Sequence, residues 1–214
     1  MRFPRATHPF DMWMRREYRQ VPFERYADDA ICHCRTQEQA QQLESDLRRR
    51  FEDCKLELHP QKTKIVYCAD SRRKTEYSLV QFDFLGYAFR PRFVKSKSGY
   101  CNVGFNPAIS PKSAQEIRKT MRSWRLGRRT DLAIEAIARW INPILRGWFQ
   151  YYGRFYRSAL DAIVHALEEQ LATWAMRKYR NVPGRAEARK WVAEVLRNRP
   201  MLFEHRRFVT TTVG

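Results

Sequence analysis

The 214-residue sequence predicts an α+β chain in two parts, divided near residue 90. Three observations predict it. Before residue 90, short apolar runs of strand length alternate with turn residues. After it, apolar side chains recur at three- and four-residue spacing between helix caps. Charge divides at the same place. Residues 1–90 carry 17 Lys+Arg against 14 Asp+Glu, a net of +3, and residues 91–214 carry 24 against 9, a net of +15. The expected domains are therefore 1–90 and 91–214.

Residues 8–20 read as a short helix, with Phe10, Trp13, Met14 and Tyr18 giving one apolar face. Pro22 ends the connection, and Phe23 to Cys34 reads as a hairpin. Thr36 is a good N-cap for a glutamine-rich helix to about Cys54, with Ala40, Leu43, Leu47 and Phe51 inward. Leu56–His59 and Thr63–Cys68 read as strands around Pro60-Gln61-Lys62, and Ser71–Thr75 as a basic loop. Phe82–Phe89 reads as a further strand pair, with Gly86 allowing a bend. Ser98-Gly99 and Asn106-Pro107 suggest a strand-poor linker.

Ser110-Pro111 opens a helix with Pro at its first position. Ala114, Ile117, Met121 and Trp124 mark its buried face. Thr130-Asp131 reads as the cap of a second helix with Ile134, Ile137, Trp140 and Ile141 inward, kinked or split at Pro143. Ser158 reads as the cap of a third, with Leu160, Ile163 or Val164, Leu167, Leu171 and Trp174 inward. Pro183-Gly184 breaks the chain before a fourth, with Ala188, Trp191 or Val192, and Val195.

Composition narrows the function classes. At 43% hydrophobic and 14% aromatic, the chain is not disordered by composition. A net charge of +18 favours a polyanionic partner, with nucleic acid the default. No run of about 20 apolar residues could span a membrane. Trp148 to Arg157 interleaves aromatics with arginines, a mixture that suits RNA bases and phosphates. The same pattern also describes a helix with a ring-filled core and an arginine-covered face, and this reading accounts for about two thirds of the rings. The five cysteines include no C-x-x-C pair, which argues against a zinc site. Their odd number and the lack of a signal peptide point to a reducing, intracellular setting.

The chemistry concentrates at Tyr26-Ala27-Asp28-Asp29. Adjacent carboxylates repel each other and are poor strand formers. Placed at a hairpin tip, they suit a divalent cation such as magnesium, which takes oxygen ligands and substrate phosphates. An ordinary polar turn uses the same residue types.

Residues farther along the chain decide between these. Arg25-Tyr26-Ala27-Asp28-Asp29 resembles the active-site hairpin of reverse transcriptases. Leu58-His59-Pro60-Gln61-Lys62-Thr63-Lys64 is similar to the next block of the group II intron enzymes, and Phe82-Asp83-Phe84-Leu85-Gly86-Tyr87 to the block after it. The stretch Ile141-Asn142-Pro143-Ile144-Leu145-Arg146-Gly147-Trp148-Phe149-Gln150-Tyr151-Tyr152 resembles the maturase-specific domain of the same proteins. Four blocks in family order resemble the group II intron-encoded reverse transcriptase/maturase.

The resemblance implies a partial reverse-transcriptase palm followed by an all-α thumb. It implies that Asp28 and Asp29 bind magnesium in a two-metal site. Ala27 would lie under the primer terminus, and Tyr26 would pack beneath the hairpin and touch the growing strand. Lys62 falls where a proton donor to pyrophosphate, or a plain phosphate contact, would sit. Phe84, Leu85 and Gly86 would form the primer grip. Candidate RNA contacts in the basic half are Arg118, Lys119, Arg122, Arg125, Arg128, Arg129, Arg146, Arg154, Arg157, Arg177 and Lys178. The implied partners are intron RNA and a template–primer duplex, in a bacterial-type cytoplasm and associated with nucleoid or RNA.

The family also has fingers and an earlier palm strand carrying another metal-binding aspartate, and only about 25 residues precede the hairpin here. Asp11 does not substitute, because it matches the helix leading into the hairpin. The metal site is thus expected to be incomplete in this chain, and polymerisation by it alone absent or very weak. The chain reads as the C-terminal part of such an enzyme. The alternatives are a non-enzymatic RNA-binding splicing module and one half of a split reverse transcriptase, which would work with a missing N-terminal half or another copy.

Overall fold

Each helix in the larger part of the molecule has one apolar stripe, and the stripes converge. A computed structural model describes residues 9–71, 77–95, 99 and 101–210. Most of the expected basic loop after Ser71, and Ser98, lie outside them. The chain forms two compact units, Met1–Tyr67 and Cys68–Gly214. The first break in compactness therefore falls ahead of residue 90.

In the first unit, helix α1 (Pro9–Glu17) precedes strands β1 (Phe23–Tyr26) and β2 (Asp29–Cys32), and helix α2 (Gln37–Asp53) comes next. β1 and β2 pair antiparallel, with Phe23 opposite Cys32 and Tyr26 opposite Asp29. Thr36 Oγ1 accepts from the Gln39 amide at 3.1 Å, and Gln39 Oε1 accepts from the Arg35 amide at 2.7 Å. Side chain and backbone thus satisfy each other around the α2 start, much as in a capping box. Met14, Val21 and Leu43 form a small core, covered by Phe10, Trp13, Tyr18, Phe23, Cys32, Cys34 and Leu47. Burial raises the thiol pKa of both Cys32 and Cys34, the former to about 12, so these two behave as small apolar side chains. Cys54 and Cys101 are exposed.

The strands expected at 56–59 and 63–68 do not form; both segments lack regular structure. Leu56 is 58% exposed and Ile65 37%. A strand needs a partner ladder, and among the described residues these segments have none.

The second unit begins with a three-stranded antiparallel sheet, β3 (Phe82–Phe84), β4 (Tyr87–Lys95) and β5 (Cys101–Ile109), in the order β3-β4-β5. The strand-poor linker expected around Asn106-Pro107 is therefore a nine-residue strand. Proline is tolerated because β5 is an edge. Pro91 sits in β4 beyond Phe89, the last residue paired with β3, so its missing N–H costs no ladder bond on that side.

Five helices complete the unit: α3 (Pro111–Ser123), α4 (Ile134–Tyr152), α5 (Asp161–Lys178), α6 (Arg185–Asn198) and α7 (Glu204–Thr210), with short 3₁₀ turns at Leu126–Arg128 and Arg157–Leu160. Ser110 caps α3 by accepting from the Ser113 amide at 3.1 Å, with Pro111 next. Neither Thr130 nor Ser158 caps a helix. α4 starts at Ile134 after Ala133, and Ser158 lies inside the second 3₁₀ turn. α4 runs through Pro143 unbroken. α7 has no counterpart among the expected helices. Asn142 anchors it: its Nδ2 donates to the Leu202 carbonyl at 2.9 Å, and its Oδ1 accepts from the Glu204 amide at 3.1 Å. That amide is one of the unpaired donors of the helix start.

Ile137, Ile141, Leu145, Phe149, Ile163, Leu167, Leu171, Trp174 and Phe203 are all within 2% of full burial. Each large apolar side chain so buried contributes about 1.5–3 kcal/mol. Trp140, expected inward, is 41% exposed, with the Arg129 guanidinium 5.6 Å above its ring. The stripe of α4 runs through Ile134, Ile137, Ala138 and Ile141, and Trp140 falls beside it.

Two predictions test these cores. Trp174 is fully buried and its Nε1 donates to the Arg129 carbonyl at 3.0 Å. Trp174→Ala should cost about 3–5 kcal/mol in urea unfolding. Trp174→Phe should cost less, keeping most of the packing and forfeiting a hydrogen bond worth about 1 kcal/mol.

In the first unit, the Tyr18 hydroxyl donates to Asp46 Oδ2. Burial, then the Asp46 carboxylate, push the Tyr18 pKa from 10 to about 12. The same bond holds Asp46 below its ordinary 3.8. Tyr18 therefore contributes stability that is fully present below pH 10 and is lost as pH rises through 12. Asp46 contributes stability that is present above 3.8 and is lost as pH falls below it. Tyr18→Phe should flatten both limbs of the stability–pH curve for this unit. An unchanged curve would show that the bond does not couple to folding.

Candidate active-site hairpin and nucleic-acid interface

The Asp pair lies at the hairpin tip, as its residues suggest. Asp28 is in the two-residue turn and Asp29 opens β2. Both are exposed, and among the described residues neither side chain makes a hydrogen bond or ion pair. Two unengaged, acceptor-only carboxylates fit a hard cation that retains several waters. Ala27 holds the tight turn with a φ of +53°, a left-handed conformation costing a non-glycine residue about 1–2 kcal/mol.

Arg25 fastens that backbone in place. Its Nη1 donates to the Ala27 carbonyl at 2.5 Å. Its Nε and Nη2 grip the two oxygens of Asp11 on α1, at 2.6 and 3.2 Å. Asp11 therefore serves the hairpin through Arg25. A groove of about 530 Å³ opens alongside, with Arg15, Arg19 and Arg25 on its walls. Tyr26 does not pack beneath the hairpin; it is 54% exposed. Lys62 lies in an exposed turn where its amide donates to the His59 carbonyl at 3.2 Å. No hydrogen bond or ion pair joins it to the hairpin among the described residues.

In the second unit, Phe84-Leu85-Gly86 ends β3 and makes the turn into β4. Leu85 and Gly86 both have positive φ, +49° and +78°, the signature of a type I′ hairpin turn. The Gly86 carbonyl accepts from the Ser110 amide at 2.9 Å. A side chain at Gly86 would come within 2.9 Å of both Ser113 Oγ and Tyr152 Oη.

The basic face divides in two. Arg146 binds Glu204 at 2.6 Å, Arg177 donates to the Gly127 carbonyl at 3.2 Å, and Lys178 donates to the Thr130 carbonyl at 2.7 Å. Arg129 lies over Trp140, and Lys119 pairs loosely with Glu116. These five have partners within the fold. Arg118, Arg122, Arg125, Arg128, Arg154 and Arg157 have no ion pair or side-chain hydrogen bond among the described residues, and all but the partly covered Arg118 are exposed. In the aromatic run, Phe149 is buried, Trp148 stacks on Trp124 at 5.7 Å, and Tyr152 and Tyr156 are half-buried. Tyr151 and Phe155 are exposed. The ring-filled-core reading thus covers three of the six, Trp148, Phe149 and Tyr152, fewer than the two thirds expected.

Sequence reasoning passed over Ser110 as anything but a cap, and gave Asn142 and Tyr151 no role of their own. The partners of Asn142 and Tyr151 are 60 or more residues away, and no local pattern reports such contacts.

The Asp11–Arg25–Ala27 chain predicts a local effect. Asp11→Asn should speed amide exchange at residues 27–30 and leave the middle of α2 unchanged. Equal exchange in variant and parent would show that the turn holds itself.

Two family models match the chain. One, described as reverse transcriptase (RNA-dependent DNA polymerase), covers residues 2–89. The other, described as group II intron, maturase-specific domain, covers residues 114–193. No curated protein matches it. The first match ends just after the Leu85–Gly86 turn, and the second contains α4 and α5, with Asn142 and Tyr151 on α4. Reverse-transcriptase domains generally use magnesium, and both domains imply RNA and nucleic acid as partners. The chain belongs to the group II intron reverse transcriptase/maturase family, and carries the part in which the reverse-transcriptase domain runs into the maturase-specific domain.

Proposed function

We propose that this chain supplies the metal-binding hairpin, the primer grip and the RNA-binding thumb of an RNA-directed DNA polymerase that also binds intron RNA to aid splicing. The observation that carries the reading is the unengaged Asp28–Asp29 pair, held at a strained tip by Arg25. Asp28 is the principal magnesium ligand and Asp29 its weaker companion. Bound magnesium would neutralise phosphate charge and activate the attacking hydroxyl. Ala27 leaves room for the primer terminus, and the exposed Tyr26 reaches the growing strand. Leu85 and Gly86, with Phe84 behind them, support the primer end. Lys62 contacts phosphate, as either a proton donor or a plain cation. The protein acts inside the cell, in the cytoplasm or at the nucleoid, where intron RNA is found. Among the described residues no helix is long and apolar enough to cross a membrane.

The family's polymerase site draws a further aspartate from an earlier palm strand, so the assay supplies a polypeptide carrying that part of a family member. Primer extension by the pair should require Asp28, with Asp28→Ala abolishing it and Asp29→Ala weakening it less. Extension that survives Asp28→Ala would remove the metal assignment. Robust extension by the 214-residue chain alone would show that it completes the site itself.

RNA binding is the second arm. About six phosphate contacts imply a fall in affinity on the order of a thousandfold between roughly 50 and 200 mM salt. Replacing Arg118, Arg122, Arg125 and Arg128 with Ala should flatten the log–log salt slope by about four units, one per contact. Arg177→Ala should lower stability and leave the slope nearly unchanged. A flat slope in the parent protein would overturn the thumb assignment and favour a non-electrostatic role for this half.

A further inference from the structure

The Leu85–Gly86 turn is unusual in its chemistry. A two-residue turn with positive φ at both positions is normally built from Asn-Gly, Asp-Gly or Gly-Gly. Here the first position is leucine, at a φ of +49°. Leucine in the left-handed region persists only where the surroundings over-determine it. Those surroundings come from the maturase-specific domain, from residues far along the chain.

The Tyr151 hydroxyl donates to the Leu85 carbonyl at 2.8 Å. In return, the Tyr87 hydroxyl donates to the Tyr151 carbonyl. That carbonyl belongs to the last turn of α4, where no further helical amide is left to bond it. Each tyrosine thus fills a main-chain need of the other's element. The rings enforce the pairing, with the centroids of Tyr87 and Tyr151 5.2 Å apart, Tyr87 and Tyr152 5.5 Å, and Tyr151 and Tyr152 4.8 Å. On the other side the Ser110 amide holds the Gly86 carbonyl. The turn is fastened to the end of α4 and the start of α3, while Leu85 itself stays 39% exposed.

We propose that Tyr151 is a positioning residue for the primer grip. Its hydroxyl sets the left-handed backbone of Leu85, and through it the direction in which the turn presents Leu85 and Gly86 to a primer end. This rests on the assignment of Phe84, Leu85 and Gly86 as the primer grip. Tyr87 acts from the opposite side, fixing Tyr151 in the geometry that lets it donate. The polymerase turn is thereby set by the last turn of a maturase-domain helix.

The test uses the full chain and the isosteric variant Tyr151→Phe, which keeps the ring and removes only the donor. Binding is followed by fluorescence anisotropy on an RNA template carrying a recessed DNA primer, on the same duplex with blunt ends, and on a structured RNA hairpin. Amide exchange is measured at residues 85–87. The parent should prefer the recessed end. Tyr151→Phe should lose most of that preference, weakening binding to the recessed end about fivefold or more, with hairpin RNA binding unchanged and the thermal midpoint lowered by only about 2–5 °C. Exchange at residues 85–87 should accelerate about tenfold. Tyr87→Phe should act in the same direction, so the proposal does not depend on one variant.

A preference that Tyr151→Phe leaves intact would overturn the proposal. So would equal weakening on all three ligands, which would mark Tyr151 as a general folding residue. If the parent shows no preference for the recessed end, the primer-grip assignment itself fails. The positioning of the turn is then decided by exchange alone, and unchanged exchange at residues 85–87 in Tyr151→Phe overturns it.

Discussion

The larger unit depends on the apolar stripe of α4. Ile134, Ile137, Ala138, Ile141, Leu145 and Phe149 share one side of the helix and are all buried. Around that stripe gather α3 through Ile117 and Met121, α5 through Ile163, Leu167, Leu171 and Trp174, and the end of the chain through Phe203. Burial on this scale gives one element a fixed position, and the polar features are then placed by it. The flanks of α4 carry Asn142, Arg146, Tyr151 and Tyr152, each bound to or packed against another element.

This arrangement explains why cations of equal appearance in the sequence differ in role. Arg177 and Lys178, at the end of α5, reach carbonyls of the 125–130 segment and close it over Trp174. Arg146 is held by Glu204, whose position depends on α7 docking against α4. Arg118, Arg122, Arg125 and Arg128, on α3 and in the loop after it, have no acidic partner among the described residues. A cation held by a carbonyl or carboxylate in the fold contributes mainly to shape, and an unpaired one contributes to the field that a polyanion meets.

The smaller unit is built by the same logic at lower density. Among the described residues its core has only Met14, Val21 and Leu43 fully covered, so polar contacts carry more of the definition. Tyr18 with Asp46 ties α1 to α2, and Arg25 with Asp11 ties α1 to the hairpin. A carboxylate pair can sit at an exposed tip because the strain of its turn is countered a few ångströms away, where Arg25 grips the backbone.

The sequence by itself determined the α+β class, the hairpin with Asp28 and Asp29 at its tip, the Thr36 and Ser110 caps, and the inward faces of α3 and α5. These depend on local periodicity and local hydrogen bonding, which the order of residues expresses directly. It misplaced the strands at 56–68, overlooked β5 and α7, and put Trp140 inside. A strand exists only if another chain segment completes its ladder, and Pro107 is permitted only because its strand is an edge. The tertiary structure alone decided that Asp11 serves Arg25, that Asn142 holds α7, and that Tyr151 grips the turn at Leu85. In each case the partner lies 14 to 66 residues away. At such separations, which donor meets which acceptor is set by how the apolar faces pack, and no window of the sequence contains that information.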